Sequence, residues 1–259
     1  MTDQRASLTY SSYLALDEVL GAQRPRTAEH DELLFIVIHQ VYELWFKQLM
    51  HEGAHLQGRL EDADTPHALQ TLKRMLTILK TVVAQLDVLE TMTPRQFLAF
   101  RDRLDAAGSF QSEQFRELEA LLGRRDLRAL GHYAPDSPQH GRIAAAMERP
   151  SLFDSFVRYL ASQGYPVPAD ALERDVKQPL EPSSGVQRAL LAAYADAGEP
   201  AQVCEQMIDL DEGVMEWRYR HAQMLRRTVG DTRATGGADL AATLPRAAFP
   251  DLWAVRTQL

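Results

Sequence analysis

Apolar residues recur at helical spacing along most of the chain, most clearly in the segment 30–52. Phe35, His39, Tyr42 and Phe46 fall at positions i, i+4, i+7 and i+11, so a histidine lies within a mostly aromatic stripe. A second apolar stripe runs beside it and consists of Leu34, Ile38, Val41, Trp45 and Leu49. The pattern predicts a long helix that is apolar around much of its girth and is therefore buried.

The same periodicity, together with capping residues, predicts the other helices. Thr65 and Thr93 are predicted N-caps, because each is followed by a proline, which suits the first helical position. Gly123 is a predicted C-terminal stop. Helical segments are predicted at 10–23, 66–92, 94–104, 110–123, 151–163, 186–195, 202–230 and 249–257. No segment alternates as a strand does, so we expect an all-α fold, a helical bundle forming a single domain over residues 1–259. Within it, 1–23 forms an N-terminal arm with a short helix and 124–200 a more irregular helical insert.

Composition narrows the classes of function. The chain has 259 residues, 45% of them hydrophobic, which allows a sizeable core, and its net charge of −8 argues against a nucleic-acid partner. The lone Cys204 excludes an intrachain disulfide and a cysteine-based zinc site and is typical of a reducing compartment. The N-terminus lacks the apolar core of a signal peptide, and no apolar run approaches the length of a membrane span. We therefore expect a cytoplasmic protein without a membrane partner.

Two histidines on apolar helical faces carry the candidate chemistry. His39 lies in the aromatic stripe, and His221 follows Trp217 by one turn and precedes Leu225 by one turn. A haem pocket in a helical bundle needs two such residues, one to ligate the iron and one to face its open coordination position. Spacing alone does not distinguish this from two hydrogen-bonded core histidines, which are the commoner arrangement, so both interpretations remain open at this level. The Thr235-Gly236-Gly237 loop follows a predicted helix rather than a strand, which argues against a phosphate-binding loop.

The segment HDELLFIVIHQVYELWFKQ closely resembles the signature of tryptophan 2,3-dioxygenases, tetrameric haem enzymes that open the indole ring with dioxygen. The resemblance continues in order through YSSYLALD, ETMTPRQFLAFR, FQSEQFRELE, RPSLFDSFVRYLASQGYP, WRYRHAQMLRRTVG, RATGG and FPDLWAVRT. It covers nearly the whole chain. It implies an all-α fold enclosing haem b, a homotetramer, and tryptophan and dioxygen as substrates.

The resemblance also assigns roles to individual residues. His221 matches the proximal haem ligand, and His39 matches the distal histidine beside the indole nitrogen of the substrate. Phe35 matches a residue that flanks the indole, and Phe97 and Arg101 match the aromatic and the guanidinium that meet the amino acid. The substrate-binding set implied by the resemblance also includes Ile36, Val37, Ile38, Ser109 and Thr235, together with Tyr10, Tyr13 and Leu14 on an arm that reaches into a neighbouring subunit's pocket.

Several departures from the family pattern concern the substrate side of the pocket. Gly108-Ser109 stands where the family usually has Ser-Gly, Leu86 replaces an aromatic residue that commonly flanks the haem, and RATGG lacks some following glycines.

Because of these departures, three functions are considered. The first is a dioxygenase cleaving the indole C2–C3 bond of tryptophan or a substituted tryptophan to an N-formylkynurenine-type product. The second is a haem monooxygenase acting on an aromatic amino acid, which forms a 2-oxindole or hydroxylates tyrosine. The third is a haem-binding or sensing protein without turnover, which the presence of both His39 and Arg101 disfavours.

Overall fold

The computed structural model describes residues 8–104, 112–230 and 247–259. In these ranges the chain folds into α-helices without a β-strand, which confirms the predicted all-α class. The helices are α1 Tyr10–Tyr13, α2 Leu16–Leu20, α3 His30–Glu61, α4 Thr65–Leu89, α5 Pro94–Arg101, α6 Glu113–Leu121, α7 Leu127–Leu130, α8 Pro138–Met147, α9 Leu152–Ser162, α10 Ala169–Leu172, α11 Ser184–Asp196, α12 Glu199–Val229 and α13 Pro250–Ala254, followed by a 3-10 turn Val255–Thr257. Among the helices that the structure describes, none is both long and apolar enough to cross a bilayer.

Three long helices form the centre of the molecule. Helix α4 packs against both α3 and α12, while α3 also contacts α5, α6 and α9. The apolar faces of these helices merge into one large core, whose fully buried members include Leu49, Leu56, Leu72, Met75 and Leu86. Leu86, at the position where the resemblance leads one to expect an aromatic residue, thus belongs to the packed core of α4. Because α3 and α12 both pack on α4, this helix fixes their relative position, and α3 and α12 carry the candidate histidines.

The predicted helix starts are partly correct. Thr93 is an N-cap, since its hydroxyl accepts from the Gln96 amide in a reciprocal capping box. The prediction for α4 is wrong by one residue, because the Asp64 carboxylate accepts from the amide of His67 and Thr65 is already helical. A carboxylate and a hydroxyl are both good caps, so adjacent Asp and Thr leave the sequence signal ambiguous.

The helix predicted at 10–23 is two short helices instead. Ala15 lies between them with φ 50°, a left-handed conformation that ends one helix before the next begins. Neither short helix has a buried residue. Periodicity alone does not detect such a break, because the apolar spacing continues across it.

Helix α3 begins as predicted but is less completely buried than its composition indicates. Ile38, Tyr42, Phe46 and Leu49 face the core, whereas the apolar side chains of Leu33, Val37 and Leu44 are exposed. Elsewhere, the stretch between the predicted helices at 110–123 and 151–163 contains α7 and α8, and α12 begins three residues earlier than predicted.

A buried carboxylate on α12 holds the C-terminal segment. Asp211 accepts hydrogen bonds from the amides of Ala248 and Phe249 and from the indole Nε1 of Trp253, at 2.9–3.1 Å. Burial raises the pKa of this carboxyl, although these donors oppose the increase. Trp253 itself is partly buried. The C-terminal segment is thus anchored to α12 through Ala248, Phe249 and Trp253.

Candidate functional site

A cleft between α3, α6 and α12 brings the two histidines together. His39 comes from α3 and His221 from α12, and both line the cleft although they lie far apart in the sequence. Its empty space, counted out to the open mouth and including solvent there, is about 670 Å³. The other lining residues are Tyr42, Glu43, Phe46, Ser112, Phe115, Arg116, Trp217, Arg218 and Ala222.

The imidazole of His39 is fixed in one tautomer. Its Nδ1 lies 2.7 Å from the carbonyl oxygen of Phe35, and because a carbonyl only accepts, Nδ1 carries the hydrogen. Burial lowers the pKa of His39, although the Phe35 carbonyl and the Glu43 carboxylate both oppose the decrease. The ring is therefore neutral near pH 7, and Nε2 is left as a hydrogen-bond acceptor.

Aromatic rings from α3 and α5 gather beside His39. The ring centroid of Phe35 lies 4.0 Å from that of His39 and 5.8 Å from that of Phe97. Phe100, a buried residue of α5, lies 5.7 Å from Phe35 and 5.5 Å from Phe97. Arg101 follows Phe97 by one turn and is the last residue of the helix, with a half-buried side chain. The structure thus brings Phe35, His39 and Phe97 together as one group.

His221 is buried against an aromatic cage. The indole of Trp217 stacks on its imidazole, with ring centroids 5.1 Å apart and planes 12° apart. Trp217 is in turn surrounded by Phe115, Phe46 and Tyr42, at centroid distances of 4.7, 5.5 and 6.1 Å. Burial, reinforced by the nearby His39 and Arg218, lowers the pKa of His221 to about 3. The ring is neutral, which is the form in which histidine binds a metal.

The donor set of the cleft fits a haem better than a bare metal ion. The described residues contain no group of three or more histidine, cysteine or acidic side chains able to hold a metal. A haem iron needs only one protein imidazole, because the porphyrin supplies its four equatorial nitrogens. The Tyr42 hydroxyl and the Trp217 Nε1 are also buried in the cleft wall with no hydrogen-bond partner of ordinary geometry within the described chain. Mostly aromatic walls and a buried neutral imidazole, His221, that can ligate one iron suit this cofactor.

A charged network that the sequence pattern did not reveal reaches the cleft wall through Arg116 and Arg218. The carboxylate of Glu119 is nearly buried and accepts from Arg116 at 2.7 Å, from Arg124 at 3.1 Å and from Arg218. Burial, together with the like charge of Arg116, lowers the pKa of Arg218 to about 10. Opposite charges at i and i+3 on α6 were visible in the sequence, but such pairs are common on solvated faces and gave no reason to single these out.

Several candidate residues lie elsewhere in the chain. Tyr10, Tyr13 and Leu14 are exposed near the N-terminus and do not line this chain's own cleft. Ile36, Val37 and Ile38 occupy the turn between Phe35 and His39, and Ile38 points into the core. None of these three residues is among those that line the cleft in the described part of the chain. Ser109 and Thr235 lie outside the described residues.

Comparison with known proteins gives a consistent result. Residues 1–135 match the family model of tryptophan 2,3-dioxygenase. The chain is 63% identical to the tryptophan 2,3-dioxygenase of Anaeromyxobacter sp. (strain K), with both chains fully covered. It is 51% identical to the enzyme of that name from Herpetosiphon aurantiacus, over 98% of this chain and 99% of that protein, and 42% identical to the one from Caulobacter vibrioides, over 97% and 98%. The chain belongs to the tryptophan 2,3-dioxygenase family.

Proposed function

We propose that this protein is a haem-dependent dioxygenase that cleaves the indole C2–C3 bond of L-tryptophan, or of a substituted tryptophan, to an N-formylkynurenine-type product. The observation that carries the proposal is the meeting of His39 and His221, two neutral imidazoles from different helices, in one mostly aromatic cleft. Relatives that share up to 63% of its residues over the full chain bear the name of this activity. The protein is an oxidoreductase on this proposal, with haem b, tryptophan and dioxygen as its cofactor and substrates.

His221 holds the cofactor in this proposal. Its ring is neutral and buried, and stacking on Trp217 restrains its rotation. When bound, the haem supplies an iron at which dioxygen is bound and activated. The protein contributes the ligand, an aromatic cleft that excludes bulk water, and an oriented substrate.

His39 positions the indole. With Nδ1–H committed to the Phe35 carbonyl, Nε2 is able to accept a hydrogen bond from the indole N–H. That proton is far too weakly acidic for a neutral imidazole to remove it outright. We assign His39 the role of a hydrogen-bond acceptor that fixes the substrate's orientation.

Side chains from α3 and α5 complete the substrate site. Phe35 and Phe97 flank the indole, supported by their mutual ring contact. Arg101, one turn after Phe97, pairs with the substrate carboxylate, because a guanidinium forms two parallel hydrogen bonds with a carboxylate. Ser109 and Thr235 belong to the proposed site on the resemblance alone.

The N-terminal arm contributes to a neighbouring subunit in a homotetramer. Tyr10 and Tyr13 leave 76% and 72% of their surface exposed, and Leu14 is also exposed. Apolar surface of this kind is typical of an interface. The chain forms a single domain on this proposal, and its single thiol at Cys204, which is buried with a pKa raised to about 12, supports a reducing cytoplasmic location.

Product analysis tests the proposal. The haem-loaded enzyme is supplied with tryptophan and isotopically labelled dioxygen, and the product is examined by mass spectrometry. We expect ring opening with both labelled atoms retained before any exchange with water. Incorporation of one atom, or the absence of any product, contradicts the proposed reaction.

A further inference from the structure

We propose that the guanidinium groups of Arg218 and Arg116 form a carboxylate-binding site in the cleft wall, and that its ligand is the propionate edge of the haem. The inference rests on the proposed function, since it assumes that haem occupies the cleft. It assigns a role to a network that the dioxygenase reaction does not otherwise use. It also separates the residues that hold the iron from those that hold the cofactor's charged edge.

Two positive side chains from different helices meet in this wall. Arg116 on α6 and Arg218 on α12 both line the cleft, with side chains only 15% and 12% exposed. Taking a guanidinium out of water is costly, and placing two side by side adds repulsion. Proteins that bear these costs in a cleft commonly use them to bind an anion.

Both guanidinium groups are held in fixed positions. Each donates to the carboxylate of Glu119, and Arg218 also lies over the ring of Phe115, with its central carbon 5.9 Å from the ring centroid. Arg116 is further associated with the hydroxyl of Tyr133. Such restraint means that little side-chain entropy remains to be lost when a ligand binds.

The charges around the cleft favour a ligand with carboxylates. Glu119 is shared among three guanidiniums, since Arg124 donates to it as well. Glu43 is the acidic side chain among the described lining residues, and its carboxylate is bonded at 2.8 Å by the amide of Gln114. The balance on this wall is thus positive within the described chain. Arginine also matches a carboxylate in geometry, with two parallel donors.

The position of Arg218 relative to His221 selects the haem as the source of these carboxylates. Arg218 precedes His221 by three residues, so the two lie on the same side of α12, about one turn apart. A cofactor ligated by His221 would lie close to Arg218, and a propionate directed to this side of α12 would meet its guanidinium. The substrate carboxylate is instead assigned to Arg101, the last residue of α5, which is not among the residues that line the cleft.

The test compares haem b with its dimethyl ester, in which both propionates are uncharged. The full-length protein is titrated with each, and the Soret band gives two dissociation constants. The ratio of the dissociation constant of the ester to that of haem is measured in the parent and in Arg218→Gln, Arg116→Gln and Arg218→Lys. The matched control is Arg124→Gln, since Arg124 shares Glu119 but is not among the residues lining the cleft.

We expect the parent to bind haem about 10- to 100-fold more tightly than the ester, the range of one or two charge-assisted contacts. Arg218→Gln should bring the ratio close to one, and Arg116→Gln should reduce it. Arg218→Lys should retain part of the preference for haem over the ester. Arg124→Gln should keep the parent ratio. If Arg218→Gln fails to fold, as judged by circular dichroism, Arg116→Gln and Arg218→Lys decide the question.

Other results overturn the inference. A parent ratio near one, or parent-like ratios in both glutamine variants, shows that the guanidiniums do not bind the propionates. An equal decrease in Arg124→Gln shows that the effect passes through Glu119. A further outcome is that Arg218→Gln leaves the ratio of the two dissociation constants unchanged and weakens the binding of tryptophan but not of tryptamine. That result shows that the ligand is the substrate carboxylate. Failure of the parent to bind haem at all contradicts the proposed function itself.

Discussion

The indole of Trp217 lies parallel to the imidazole of His221, with the two planes 12° apart. The two residues are one turn apart on α12, so the contact is local, but the cage of Phe46, Phe115 and Tyr42 that holds the indole is built from other helices. The orientation of the proposed iron ligand is therefore determined by packing between α3, α6 and α12.

Replacing this indole should weaken cofactor retention. We expect Trp217→Leu to release haem to excess apomyoglobin about tenfold faster than the parent, because aromatic contacts contribute roughly 0.5–1.5 kcal/mol each beyond their buried area. Trp217→Phe should retain most of the effect, since a ring plane remains. Trp45→Leu is the control, because Trp45 is a partly buried indole outside the cleft. Equal rates in all four proteins would show that the stack is incidental.

Removal of the His221 imidazole should remove the haem. His221→Ala is expected to fold, since its helix keeps its other buried contacts, and to purify with little cofactor. Soret absorbance relative to protein concentration measures the loss. His55→Ala, at an exposed position on α3, serves as the control. Stoichiometric haem with an unchanged Soret spectrum in His221→Ala would refute the ligand assignment.

The assignment of His39 as a hydrogen-bond acceptor has a distinctive consequence. His39→Ala should keep its haem and lose about 10²- to 10⁴-fold in kcat/KM, the range of one positioned group. It should also accept 1-methyltryptophan better, relative to tryptophan, than the parent does, because the methyl group no longer clashes with the imidazole. Steady-state kinetics with both substrates measures this. Complete loss of turnover in a haem-loaded variant would instead indicate obligatory proton transfer.

Arg101 should determine recognition of the amino-acid carboxylate. Arg101→Ala is expected to weaken tryptophan binding by about 2–4 kcal/mol, because a charge-assisted bidentate contact is lost in a partly desolvated site. Arg101→Lys should recover only part of this, and tryptamine should be a poor substrate of the parent. Binding titrations and turnover of tryptamine provide the measurements. Equal turnover of tryptamine and tryptophan by the parent would exclude this role.

A buried ion pair remote from the cleft should make stability depend on acid pH. Burial raises the pKa of Asp154, but hydrogen bonds from Arg174 and Ser151 outweigh it and hold the pKa below its usual value. The stabilisation is therefore complete above the unfolded pKa of about 3.9 and is lost as the pH falls through the lower folded value.

Asp154→Asn is expected to reduce the free energy of unfolding by about 2–4 kcal/mol at pH 7, with the difference from the parent decreasing below about pH 4. Urea unfolding at several pH values provides the measurement. Asp62→Asn, in an exposed pair with Arg59, should change stability by less than about 1 kcal/mol. A difference for Asp154→Asn that does not vary with pH would contradict the assigned linkage.

The features that could be predicted from the sequence are those that a short-range pattern of residue types encodes. Phe35 and His39 share a helical face by spacing alone, and the Thr93 cap is a short-range signature, so both were predictable. The left-handed conformation of Ala15 was not, because alanine gives no sign of a positive φ. The assembly of Arg116 and Arg218 around Glu119 depends on two helices meeting, and no periodicity within either helix carries that information.

On the proposed homotetramer, the exposed N-terminal arm links the completeness of the cleft to subunit concentration. Helices α1 and α2 have no residue buried by the described part of their own chain, so most of their packing free energy would come from a neighbour. By mass action, dilution then removes the arm from the neighbouring site before the core of either subunit is affected. Specific activity should therefore decrease at low enzyme concentration while the helical content stays constant.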